Sequence, residues 1–125
     1  MVRKHPLVPD RIRRPPRDGF SWVDRRFLRE HAPRFSRDAI ALYLFLCAVS
    51  DKDGLSFWGD AAIAARLRLE EAAIDRARDE LVRGDLVAYR APLLQVLALP
   101  ERSMPRAGAV ESVGDIFRRL AGGAP

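Results

Sequence analysis

The sequence predicts an α+β fold, mainly helical, over residues 20–100. Three observations carry this. Eleven consecutive apolar residues, 39–49, follow a serine suited to cap a helix. Two further helical patterns lie three residues apart at 61–67 and 71–83. Two short apolar strands then flank Ala91-Pro92. The order is helix, strand, helix, turn, helix, hairpin: a three-helix core with a short strand and a two-stranded hairpin.

Residues 1–18 hold four prolines (Pro6, Pro9, Pro15, Pro16) and six Lys/Arg, with few large apolar side chains. Proline fixes φ and removes a donor, so 1–19 reads as an extended basic arm, largely disordered when free. Residues 20–23 suit a short strand. Asp24 suits the cap of a helix over 25–31 that turns Phe27 and Leu28 inward and closes at Pro33. Ser36 is a good N-cap, and Asp38 complements the dipole of the next helix, 37–50. Ile40, Leu42, Tyr43, Leu44, Phe45, Leu46 and Val49 leave that helix no wet face, so it must be covered on more than one side. Trp22, Phe27, Leu28 and Phe35 are expected to supply the second cover, with a homodimer left open.

Asp51-Lys52-Asp53-Gly54 is turn chemistry, and a strand over 55–58 follows. Asp51 and Asp53 could suggest calcium, but the later ligands and closing glutamate of an EF-hand are missing. Gly59-Asp60 opens a helix over 61–67, with Ile63 and Leu67 on one face. Residues 68–70 are the turn. The third helix, 71–83, lines up Ile74, Ala77 and Leu81, with Gly84 expected at C′. Strands at 86–90 and 93–99 complete the domain, and Pro100 ends it. Beyond a linker at 101–109, Val113, Ile116, Phe117 and Leu120 recur at i, i+3, i+4, i+7, the stripe of a short amphipathic helix over 111–121. The chain divides into an arm (1–19), a domain (20–100) and a linker with a helix (101–125).

Composition narrows the function. The longest apolar run is far short of the roughly 20 residues a membrane span requires. The basic N-terminus has no apolar segment of a secretory signal behind it. A single cysteine, Cys47, sits in the apolar run, the place of an inert buried thiol in a reducing cytoplasm. His5 and His31 have no cysteine or carboxylate cluster beside them, so neither a metal nor a cofactor is expected. No Ser/His/Asp or Cys/His pairing and no glycine-rich phosphate loop appears, which argues against an enzyme. The net charge of +5 is uneven: residues 1–34 carry ten Lys/Arg against four Asp/Glu, residues 35–100 eight against ten. The basic character belongs to the arm.

The chain resembles the bacterial winged helix-turn-helix superfamily, nearest to the small domains of plasmid replication initiators and related regulators. The resemblance rests on the apolar helix running into Asp51-Lys52-Asp53-Gly54, Ile63-Ala64 with Leu67, Ile74 and Leu81 with Gly84-Asp85-Leu86-Val87, and a closing Tyr89 and Gln95-Val96-Leu97 wing. Ser21-Trp22-Val23, Arg26 and Leu28 match its lead-in, so about residues 20–100 are covered. Two positions depart from the pattern. That superfamily usually places Gly in the inter-helix turn and Ser, Thr or Asp at the cap of the third helix, where this chain has Arg68 and Glu70. Arg68 predicts a turn without positive φ, and Glu70 a weak cap.

The resemblance implies a non-enzymatic protein that binds duplex DNA, as a transcriptional or replication/mobile-element accessory factor. The third helix would enter the major groove and turn outward Glu71, Ala72, Asp75, Arg76 and Asp79. Arg76 has the planar fork that reads guanine O6 and N7 together. With five acids against three bases over residues 70–83, that helix is a poor match to DNA by charge. Its charges also suit a solvated face, laced with pairs around Glu71 and Arg78 and between Asp79 and Arg83. Phosphate contacts are therefore expected from Arg66 and Arg68 at the turn, Arg90 at the wing tip, and Arg11, Arg13, Arg14 and Arg17 on the arm. A protein-protein adapter is the alternative, using the acidic third helix and the stripe Val113, Ile116, Phe117 and Leu120. That stripe folds back on the core or seats on a protein partner.

Overall fold

The computed structural model describes residues 3–101. The expected helix over 111–121, with Val113, Ile116, Phe117 and Leu120, lies outside the described residues. The fold is α+β and mainly helical, with a winged-helix-like layout. Helix α1 spans Arg37–Val49, strand β1 Leu55–Phe57, helix α2 Asp60–Leu67, helix α3 Glu71–Arg83, and strands β2 and β3 Val87–Arg90 and Leu93–Val96. The strands form one antiparallel sheet in the order β1-β3-β2. Among the described residues no helix is long and apolar enough to cross a membrane.

Ser36 caps α1 as its sequence suggests: its Oγ accepts from the Ala39 N–H at 3.1 Å. Leu42 and Leu46 from α1, Ile63 from α2, Ile74 and Leu81 from α3, and Leu86 and Leu94 from the sheet region meet in one core. Each such side chain contributes about 1.5–3 kcal/mol by leaving water. Cys47 is buried there, and burial pushes its thiol up from the ordinary range, leaving it unreactive. Asp51 makes the turn before β1 by accepting from the Asp53 and Leu55 N–H groups, both at 2.9 Å. These bonds, led by the one from Leu55, hold its carboxyl below the usual range.

The segment before α1 departs from the expectation. Residues 20–24 have no regular structure, and no strand forms there. Asp24 does cap the next turn, accepting from the Arg26 N–H at 2.8 Å, but the chain winds into a wide π-turn, Phe27–His31, then a 3-10 turn, Ala32–Arg34. Within it Phe27 points in, stacked on Tyr43 at 4.0 Å, and Leu28 points out, 73% exposed. Trp22, 76% exposed, also fails to cover α1. That helix therefore keeps an open stripe, with Leu44 45% exposed and Ala48 also exposed.

The end of α3 corrects a second expectation. Gly84 has φ −80°, and the left-handed residue is Asp85 at φ 64°. The Leu86 N–H reaches Leu81 O at 3.0 Å and the Asp85 N–H reaches Val82 O at 3.1 Å, the bond pair of a Schellman ending with Asp85 at C′. Gly84 is needed for space instead, because a Cβ there would collide with the Phe35 ring.

His31 is buried, with Nδ1 2.6 Å from the Arg34 guanidinium and Nε2 without a hydrogen-bond partner among the described residues. Burial, then the Arg34 charge, lowers its pKa below 6.5. The unfolded ring protonates first as pH falls, so this contribution to stability is complete above about pH 7 and declines below about 6.5. The decline levels off once the folded ring also protonates. Urea midpoints at pH 7.5 and 5.5 should therefore diverge for the native chain and converge in His31→Gln; an equal pH response in both would exclude the ring.

Candidate nucleic-acid interface

The two-helix unit is built by backbone choices that the sequence only half reveals. Helix α2 opens on extended Gly59 and ends where Arg68 turns left-handed, at φ 59° and ψ 44°. The expectation of a turn without positive φ at Arg68 is thus wrong. The left-handed residue lets the Leu69 N–H close on Ala64 O at 3.0 Å, which compensates a steric cost of about 1–2 kcal/mol. Leu69 then packs against the core. Glu70 begins α3 without a side-chain cap, as anticipated.

The inward face of α3 is Ala73, Ile74, Ala77, Arg78 and Leu81. Its outward face carries Glu71, Ala72, Asp75, Arg76, Asp79 and Arg83, all exposed. Arg78 is the surprise, because it is only 6% exposed. Its guanidinium grips Asp60 with two bonds, 2.6 and 3.1 Å, reaches Asp75 at 2.8 Å and lies 4.2 Å from the centre of the Tyr89 ring. The bond to Asp60 leads in raising its pKa, so it stays charged. The pairing expected around Glu71 and Arg78 is replaced by this network, which joins the start of α2, the middle of α3 and strand β2. The sequence did hold a signal: Arg78 is four residues after Ile74 and three before Leu81, on the stripe that packs inward.

The other acids of α3 are largely engaged too. Asp79 pairs with Arg83 at 2.9 Å, as expected. Glu80 accepts from the Ser36 N–H and hydroxyl at 3.0 and 2.6 Å, tying α3 to the start of α1. Of the five acids, only Glu70 and Glu71 have no such partner among the described residues.

The cations singled out from the sequence are free. Among the described residues, Arg11, Arg13, Arg14, Arg17, Arg66, Arg68, Arg76 and Arg90 form no ion pair, and all eight are exposed. Arg66 lies over the Trp58 ring at 5.6 Å, and Trp58 meets Phe45 edge-on at 5.0 Å. Arg90 shares a cross-strand row with Leu93 and Phe57, so Arg66 and Arg90 stand at one end of the sheet. Arg68 and Arg76 project from the turn and from α3.

The arm is extended except for a 3-10 turn at Pro9–Arg11 and a turn at residues 17–18, where the Gly19 N–H donates to Pro16 O at 3.2 Å. It joins the body beside α1, where the Ser21 hydroxyl donates to Ala48 O at 3.0 Å. Arg13 and Arg14 border a shallow recess with Pro15, Pro16, Phe20 and Ser21. A larger cleft of about 690 Å³ lies between residues 20–26, the end of α1 and residues 96–99, with Phe20 and Trp22 among its lining. Comparison with known proteins finds no family model, no curated protein and no solved structure that matches the chain.

Proposed function

We propose that this is a non-enzymatic, winged helix-turn-helix DNA-binding protein of the kind that serves transcription, replication or a mobile element. The observation that carries the reading is the division of charge. The acids Asp75, Asp79 and Glu80 are held by Arg78, Arg83 and Ser36, while Arg66 and Arg68 at the turn, Arg76 on the third helix, Arg90 on the wing and the arm arginines form no ion pair among the described residues. The strand order, with β1 on β3 and the β2–β3 hairpin last, supports the same layout. In this reading α3 lies in the major groove with Arg76 toward a guanine, and Arg66, Arg68, Arg90 and the arm hold phosphates.

Anisotropy binding to random duplex DNA over a salt series tests it. A steep negative log–log slope is the expected result, and no binding by the folded protein at low salt would overturn the reading. Once a preferred site is selected, Arg76→Ala should weaken specific binding by about 1–3 kcal/mol and relax the base preference at one position, with random-sequence binding little changed.

A second reading, a protein-protein adapter, is favoured by one observation: Phe20, Trp22, Leu28 and Leu44 present large apolar side chains to solvent. Capture of a partner that survives nuclease and is lost in Trp22→Asp/Leu28→Asp or in Ile116→Asp/Phe117→Asp would support it, and retention in both variants would count against it.

A further inference from the structure

The sheet has a second face that the helices leave alone. Paired residues in an antiparallel sheet point to the same side, and successive rows alternate. The row Ser56–Leu94–Tyr89 faces the helices, because Ser56 and Leu94 are buried and Tyr89 lies over Arg78. The flanking rows, Phe57–Leu93–Arg90 and Leu55–Gln95–Ala88, therefore point outward. Leu55 and Leu93 are accordingly not among the apolar side chains packed on the core.

Among the described residues, the rows of this outer face carry no carboxylate. Its largest side chain, Phe57, is 71% exposed on an edge strand. Arg90 ends the same row two strand spacings away, about 10 Å. Gln95, with both a donor and an acceptor, is half-buried at the centre of the next outward row. An aromatic ring, a free cation and an amide on one flat, acid-free surface are complementary to a base, a phosphate and a base edge.

We propose that the outer face of the sheet binds unpaired bases of single-stranded nucleic acid, with one base stacked on Phe57 and the adjoining phosphate on Arg90. A ring on a flat sheet needs the open π-face of a base, and paired bases inside a duplex offer none. This rests on the nucleic-acid reading above but not on α3 as its duplex-reading element. It gives the protein two surfaces that meet at Arg90, one for duplex and one for melted strands.

The test is binding of a labelled 12-nucleotide oligo(dT) to the full chain, alongside random duplex. Phe57→Ala should weaken oligo(dT) binding roughly 5- to 100-fold and leave duplex binding within about twofold. Phe57→Tyr should bind like the native chain, and Phe57→Leu should fail like alanine, because an apolar side chain without a ring cannot stack. Arg90→Ala should lower the oligo(dT) salt slope by about 0.7, one single-strand phosphate. Full oligo(dT) binding in Phe57→Ala or Phe57→Leu would overturn the proposal. So would loss of a self-associated state in Phe57→Ala, which would make this face a contact between copies. Duplex binding without oligo(dT) binding would remove this inference alone; binding to neither would remove the DNA-binding reading with it.

Discussion

Replacing Asp60 by alanine is expected to lower stability by about 2–4 kcal/mol, because it strands a buried cation. Arg78 would keep Asp75 and the Tyr89 ring, which sets the loss below the full cost of an unpaired buried charge. Asp75 cannot substitute for Asp60, since it is largely exposed and bonds through one oxygen, whereas Asp60 engages both guanidinium nitrogens. The reverse substitution should be milder. Arg78→Met removes the charge together with its desolvation cost, fills similar volume and leaves Asp60 free to hydrate, so about 1 kcal/mol is expected. The order is the check. Urea midpoints should fall further for Asp60→Ala than for Arg78→Met, with m unchanged in both. Equal losses would mean that the network acts through packing rather than through the stranded charge.

Arg78 also shows why the third helix was legible in outline and misleading in detail. The spacing of Ile74, Ala77 and Leu81 fixes the boundaries of α3 and its inward stripe, and the structure reproduces both. Charge patterning then treats every arginine as solvated, which holds for Arg76 and not for Arg78. The difference is that Asp60, eighteen residues earlier, comes within reach only when α2 folds against α3. The helix ends were hidden for another reason. Glycine is the default left-handed residue, so Gly84 draws that assignment, yet its neighbour Asp85 takes it, and Gly84 instead leaves room for the Phe35 ring. Arg68 takes the same conformation in α2 with no glycine nearby to mark it. The pattern of residues 20–31 predicts a strand and a regular helix that turns Leu28 inward. The chain winds instead into a wide turn at Phe27–His31 with Phe27 buried and Leu28 exposed, and no periodicity announces such a turn. Arg11, Arg13, Arg14 and Arg17 lie among prolines that cannot build a core, and their exposure is legible for that reason.

Deleting residues 1–17 is expected to flatten the salt dependence of duplex binding without harming the fold. The described part of that segment is exposed throughout, so a stability change beyond about 0.5 kcal/mol is not expected. The electrostatic effect is larger. Each phosphate neutralised on B-DNA contributes about 0.9 to the slope of log K against log salt. Arg11, Arg13, Arg14 and Arg17 span seven positions, about 23 Å when extended, the length of roughly seven base pairs, so each can find its own phosphate. Pro15 and Pro16 keep the segment extended and lower the entropy lost on laying it along a groove. The slope should therefore fall by about 3 to 4, and affinity near 100 mM salt by at least tenfold. A variant with only those four arginines changed to alanine should reproduce most of the loss, since Arg3 and Lys4 lie further from the body. An unchanged slope would leave Arg66, Arg68 and Arg90 as the phosphate contacts and the arm as a solvated tail. The same deletion should leave the effect of Arg76→Ala on base preference intact, because a phosphate contact sets affinity across all sequences while a base contact sets choice among them.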